Sequence, residues 1–105
     1  MTFLEIQTDI LEKLANILYN SFDGVYEYIV CEYNYIDRFK TIGVTVSVSK
    51  NGIETYVEPP VGFATRSIDF CEELREIMNR STGGLWKSFT LKIDAAGKAH
   101  TKFQY

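Results

Sequence analysis

The sequence predicts an α+β fold: two helices packed on one face of a mostly antiparallel five-stranded sheet, in the order α-β-β-β-α-β-β. Three observations carry that prediction. Segments at 2 to 21 and 67 to 79 repeat apolar residues at three- and four-residue spacings, which gives a helix one apolar side. Segments at 41 to 58 and 88 to 104 alternate apolar with polar residues around a tight-turn signal, the pattern of a hairpin with one apolar face. Elements of both kinds bury their apolar sides together when the helices share one face of the sheet, which leaves the other face to water.

In the first helix Ile6, Ile10, Leu14 and Ile17 interleave with Leu11 and Leu18, while Glu5, Asp9, Glu12 and Lys13 take the opposite side. "FDG" at 22 to 24 then supplies a turn, because Asp and Gly tolerate conformations that stop a helix. "VYEYIVCEYNY" at 25 to 35 is the first strand, and it permits two assignments. In one, Val25, Ile29, Cys31 and Tyr33 face the helices, Tyr26, Tyr28, Val30 and Glu32 face outward, and Glu27 is the awkward inward residue. In the other, Tyr26, Tyr28 and Val30 turn inward and Glu32 is awkward. The first is preferred, since Cys and Ile are buried more often than Tyr. Both place an aromatic or apolar group beside an acid on the open face, the composition of a contact surface.

"TIGVTVSVSKNGIETYVE" sets Ile42, Val44, Val46 and Val48 on one face. Asn51-Gly52 is the strongest short hairpin signal, because a type I′ turn needs positive φ at both central residues. Closing it pairs Val48 with Thr55 and Val46 with Val57 and turns Glu54, Tyr56 and Glu58 outward. Pro59-Pro60 ends the strand, and "VGFATRS" is read as a connection. The second helix is predicted from Ser67 to about Asn79. Ile68, Cys71, Leu74, Ile77 and Met78 form its apolar stripe; Glu72, Glu73, Arg75, Glu76 and Arg80 form its solvated side. Gly83-Gly84 stops it. In "FTLKIDAAGKAHTKF" a loop Ala95-Ala96-Gly97, with Gly97 left-handed, pairs Ile93 with Ala99, Leu91 with Thr101 and Phe89 with Phe103. The outer face of this hairpin is then basic, and how it joins the first three strands is left open.

With 105 residues, 46% of them hydrophobic, the chain is expected to form a single domain, 1 to 105, with one modest core. The longest apolar runs are far short of the roughly 18 residues that cross a bilayer, and acids stand near the N-terminus where a signal peptide carries lysines, so a cytoplasmic protein without a membrane partner is expected. Cys31 and Cys71 stand forty residues apart with no CxxC or histidine cluster, so they read as buried free thiols and not as metal ligands. Residues 1 to 37 carry seven acids and one base, a balance of −6, and the remaining 68 carry seven acids and ten bases, +3. The acidic part would repel a nucleic acid and attract a basic protein.

Little of the sequence points to catalysis. His100, the only histidine, is predicted to point outward between Lys92 and Lys102 and away from any carboxylate. The pairs Glu72 with Glu76 and Glu54 with Glu58 sit on solvated faces, where nothing shifts a carboxyl toward acid-base work. Lys87, Lys92, Lys98 and Lys102 share one hairpin with Trp86 nearby, but aromatics are not interleaved on its outer face as a nucleic-acid platform requires. The expectation is a protein that is not an enzyme and that uses no cofactor, metal or nucleic acid.

The stretch "LWKSFTLKIDAAGKAHTKFQY" carries a Trp, a short apolar strand, an Asp-x-x-Gly-Lys turn and a returning strand that closes on Phe-x-Tyr. In this it resembles the YezG-like family of bacterial immunity proteins, the cytoplasmic antitoxins paired with secreted or contact-delivered toxins. The likeness extends loosely to the first helix, the tyrosine-rich strand and the second helix. This chain is shorter than many members between the third strand and the second helix. The resemblance implies a protein without catalysis that binds a cognate toxin domain, often a nuclease, and neutralises it in contact-dependent bacterial competition. The alternative is a small intracellular binding or adaptor domain without a toxin partner. The residues predicted to touch a basic partner are Tyr26, Glu27, Tyr28, Glu32, Asp37, Glu54, Tyr56 and Glu58, the acids and tyrosines of the first and third strands and the turn after the first.

Overall fold

The computed structural model describes residues 2–22 and 26–105. The elements run α1 (Phe3–Ser21), β1 (Tyr28–Ile36), β2 (Thr41–Lys50), β3 (Ile53–Val57), α2 (Phe63–Thr82), β4 (Ser88–Asp94) and β5 (Ala99–Gln104). The strands form one sheet in the order β3-β2-β1-β4-β5, with every neighbouring pair antiparallel. Both helices lie on the same face, as the apolar stripes require.

Thr2 caps α1, its Oγ1 accepting from the Glu5 backbone N–H at 3.2 Å. Three buried positions of α1, Ile10, Leu14 and Leu18, recur every fourth residue and meet the sheet and α2 along one side. The helices run antiparallel: Gln7 Nε2 donates to Ser81 Oγ at 3.1 Å at one end, and Phe22 meets Phe63 edge-on at 5.9 Å at the other. α2 ends at Gly83, whose φ of 73° only glycine adopts without strain and whose N–H reaches the Asn79 carbonyl at 2.7 Å.

Both hairpins have the predicted registers. Asn51 and Gly52 take φ of 55° and 76°, the type I′ turn, and Val48 stands opposite Thr55 and Val46 opposite Val57. Gly97 is left-handed at φ 81°, and the β4–β5 pairs include Ile93 with Ala99, Leu91 with Thr101 and Phe89 with Phe103. The second hairpin joins the sheet through β4, which pairs with β1 and makes the tyrosine-rich strand the centre of the sheet. Ile29, Cys31 and Tyr33 are buried toward the helices, and Tyr28, Val30 and Glu32 point the other way, the preferred assignment of that strand. Tyr33 stacks on Phe89 at 4.8 Å, and Trp86 meets Phe89 edge-on at 4.9 Å. Cys31 and Cys71 are buried free thiols in this core.

Six expectations are corrected. The segment read as a connection, "VGFATRS", already contains the first turn of α2, because Phe63 is fully buried against Phe22 and Gly62, at φ 87°, turns the chain into the helix. Burial of one aromatic ring outweighs the weak start signal. The helix also runs three residues past Asn79, to Thr82. Arg75 leaves the solvated side: its guanidinium carbon lies 3.6 Å from the Tyr35 ring centre and Nε donates to the Trp86 carbonyl at 2.9 Å. Tyr26 is not outward but half-buried against the core, and Glu27 is not inward but exposed. His100 does meet a carboxylate, with Nε2 3.0 Å from Asp94 Oδ2, because His100 stands opposite Lys92 and Asp94, two residues on, is its diagonal neighbour on the same face. The part of the predicted turn at 23 and 24, and Val25, lie outside the described residues.

Candidate protein interface on the open sheet face

The helices cover the central strands on one side only, and the side chains of the other face stand in rows that cross the sheet, exposed toward its edges and buried at Ser47 and Ser49. One row runs Tyr56, Ser47, Val30, Lys92, His100 from β3 to β5. A second runs Glu54, Ser49, Tyr28, Asp94, and a third carries Thr45, Glu32, Thr90 and Lys102. The face is therefore divided, with Glu32, Glu54 and Tyr56 on the β1–β3 half and Lys92, His100 and Lys102 on the β4–β5 half. Strand register makes this division, since period two sends every one of these residues to the same face.

The acidic half holds a small cleft of about 70 Å³, lined by Val30, Glu32, Thr45, Ser47, Glu54 and Tyr56. Its carboxylates are held in place. Ser47 Oγ donates to Glu54 Oε1 at 3.0 Å, and Asn34 Nδ2 donates to Glu32 Oε1 at 2.9 Å. Tyr56 stands beside them with 73% of its surface exposed, a large aromatic side chain with a polar tip presented to solvent. On the boundary between the halves Lys92 Nζ sits 4.2 Å from the Tyr28 ring centre, a cation–π contact that covers the tyrosine.

At the basic edge both carboxylate oxygens of Asp94 are hydrogen-bonded. Its Oδ1 accepts from the Ala96 and Lys98 backbone N–H groups at 3.0 Å each and its Oδ2 meets His100. The hydrogen bond from His100, with those from the Lys98 and Ala96 backbones, holds the carboxyl below the usual carboxylate range. Asp94 is thus a turn-fixing acid and leaves the lysines to set the sign of that edge.

Of the eight predicted contact residues, the structure brings four onto this face: Tyr28, Glu32, Glu54 and Tyr56. Glu58 follows β3 and is exposed beside it. The other three lie elsewhere. Glu27 Oε1 accepts from the Gly52 N–H at 2.7 Å and closes the β2–β3 turn; Tyr26 packs on the core; Asp37 sits in the β1–β2 turn, its carbonyl accepting from Lys40 N–H at 3.3 Å. Alternation within β2 already pointed to Thr45 and Ser47, the cleft's floor, whereas Lys92 over Tyr28 depends on the β1–β4 pairing, which no local signal encodes.

A larger concavity of about 410 Å³ lies on the helix side, bounded by Tyr35, Lys40, Ile42, Glu72, Arg75 and Leu85 among others. It contains none of the predicted contacts. Among the described residues no group of three or more His, Cys, Asp or Glu side chains is placed to hold a metal ion, and no helix is long and apolar enough to cross a membrane.

Fold and face together define a two-layer α+β protein whose uncovered sheet is divided by charge. A scan against protein-family models and a search of curated proteins found no match for this chain.

Proposed function

We propose that this protein is a cytoplasmic immunity protein that neutralises a basic toxin domain, a nuclease being the class that fits best, by occupying it with the acidic half of the open sheet face. The observation that carries the reading is the exposed Tyr56 beside the cleft between Glu32 and Glu54, both carboxylates pre-positioned by neighbours. A nuclease surrounds its substrate's phosphates with cations. Carboxylates on a flat sheet offer those cations an alternative partner, and a protruding tyrosine is a common anchor in such interfaces. Preorganisation lowers the ordering cost of binding.

The test is co-expression with the product of the adjacent gene, which this reading expects to be the toxin. Rescue of growth and co-purification of a one-to-one complex are expected, and the double variant Glu32→Lys, Glu54→Lys should lose both while melting like the parent protein. A Tyr56→Ala variant should weaken the complex by about tenfold or more, the scale of an interface anchor. Full rescue by the double lysine variant would remove this face from the proposal, and failure of the parent protein to bind the toxin would remove the function.

A further inference from the structure

We propose that the protein forms a two-fold homodimer by antiparallel pairing of β3 with β3 of a second copy, centred on Thr55, to make one ten-stranded sheet. The sheet has two open edges, β3 and β5, and they differ in chemistry. β5 repels itself: an antiparallel pairing centred on His100 sets Lys98 against Lys102 of the second copy, and one centred on Lys102 sets that lysine against itself. Charges of one sign on an edge strand block such pairing.

β3 lacks that protection. Its only charge is Glu54, and Ile53 is 67% exposed because the helix layer stops short of this strand. In a two-residue turn the flanking residues are a hydrogen-bonded pair, so Ile53, Thr55 and Val57 direct backbone groups to β2 while Glu54 and Tyr56 direct theirs to the open edge. Facing residues must share a sheet face, which limits a symmetric pairing to centres on a single residue. Centred on Glu54, two carboxylates oppose each other; centred on Tyr56, Glu54 opposes Glu58. Centred on Thr55, Ile53 opposes Val57, Thr55 opposes Thr55 and Glu54 opposes Tyr56. No carboxylate meets another, both apolar residues face apolar residues, and the outward backbone groups of Glu54 and Tyr56 become reciprocal partners. Pro59-Pro60 ends the edge, and a two-fold pairing uses it once, so the assembly closes at two.

The dimer extends the proposed interface without depending on it. The Glu32, Glu54 and Tyr56 groups of both copies come to lie side by side at the centre of the wide sheet, with the lysines of β4 and β5 at its far ends.

The experiment is sedimentation equilibrium up to about 500 μM, a range set by the small area that five paired residues bury. The mass should rise from 12.1 kDa toward twice that value. Thr55 faces the helix side, so Thr55→Lys leaves the open face intact; it should sediment as a monomer throughout, at least about tenfold weaker in association from like-charge opposition. A Thr55→Glu variant should do the same, and an equimolar mixture of the two should associate again, because the two-fold places residue 55 against itself. A monomeric parent protein, a lysine variant that still dimerises, or a mixture that stays monomeric each overturns the proposal. Toxin binding by Thr55→Lys separates the two readings, since it persists whether or not the dimer exists.

Discussion

Cys31 shows how burial decides chemistry at single residues. Desolvation pushes its thiol from 9.0 up to about 12, and the same cause raises Cys71 and the Tyr33 phenol beside them. Well below pH 9 these groups are protonated in the folded and unfolded chain alike, so their contribution to stability is intact. As pH climbs from 9 toward 12 the unfolded chain ionises and the folded one does not. Stability then falls by up to about 1.4 kcal/mol per pH unit for each group. Denaturation in guanidinium at pH 8, 9.5 and 10.5 should show this decline. Iodoacetamide at pH 8 should leave the folded protein unmodified and add to both cysteines in 6 M guanidinium, roughly the strength that unfolds even hyperstable domains; an adduct on the folded chain would contradict their burial. Arg75 reads differently from its sequence context. Its position on α2 suggested a solvated side chain, yet Tyr35 and the Trp86 carbonyl, both distant in sequence, draw the guanidinium onto the protein.

At the scale of elements, short-range chemistry determines the hairpins. A methyl group added at Gly52 would meet no neighbouring atom within 4 Å, and the residue sits at φ 76°, so its requirement is purely one of backbone conformation. Gly52→Ala should therefore destabilise the protein by about 1 kcal/mol through left-handed strain. For a domain of this size that lowers the melting temperature by about 5 °C. A melt unchanged within error would show that the turn is not of the I′ kind. The start of α2 follows another logic. Its first turn carries Phe63, fully buried, and Ser67, also buried, but its N-cap is Gly62 with no side-chain hydrogen bond. A helix begun by packing and not by capping leaves its boundary faint in the sequence, and the predicted start at Ser67 falls one turn late for that reason.

For the whole molecule, charge by segment and charge by surface diverge. The −6 balance of residues 1 to 37 suggested one acidic region. Folding places Glu5, Asp9 and Glu12 on α1, across the sheet from Glu32, and adds Glu54 from later in the chain to the open face. The lysines of β4 and β5 then lie on that same face and moderate its field. The electrostatic prediction is correspondingly local. Association with a basic partner should slow as salt rises from 0.05 to 0.5 M, by about tenfold or less, because short-range pairs at the cleft survive when the Debye length shrinks below about 8 Å. Stopped-flow association rates measure this, and an on-rate independent of salt would sink electrostatic steering.

The fold class, both hairpin registers and the helix stop at Gly83 were legible from the residues, because each follows from periodicity or from a turn that only Gly or Asn adopts, and such signals act over a few residues. The inward set Ile29, Cys31 and Tyr33 was the preferred of two assignments, chosen because Cys and Ile are buried more often than Tyr. Half of the predicted contact set was legible for the same reason, since alternation sends Tyr28, Glu32, Glu54 and Tyr56 to one face once the inner face is known. Packing between distant segments set the rest: β4 joins β1, Tyr26 leaves the open face, Glu27 turns from the interior to the β2–β3 turn, His100 meets Asp94 and the face is divided by charge. Those outcomes depend on which strands become neighbours, and pairing between distant segments is chosen by the total burial it achieves, a quantity no single stretch of sequence contains.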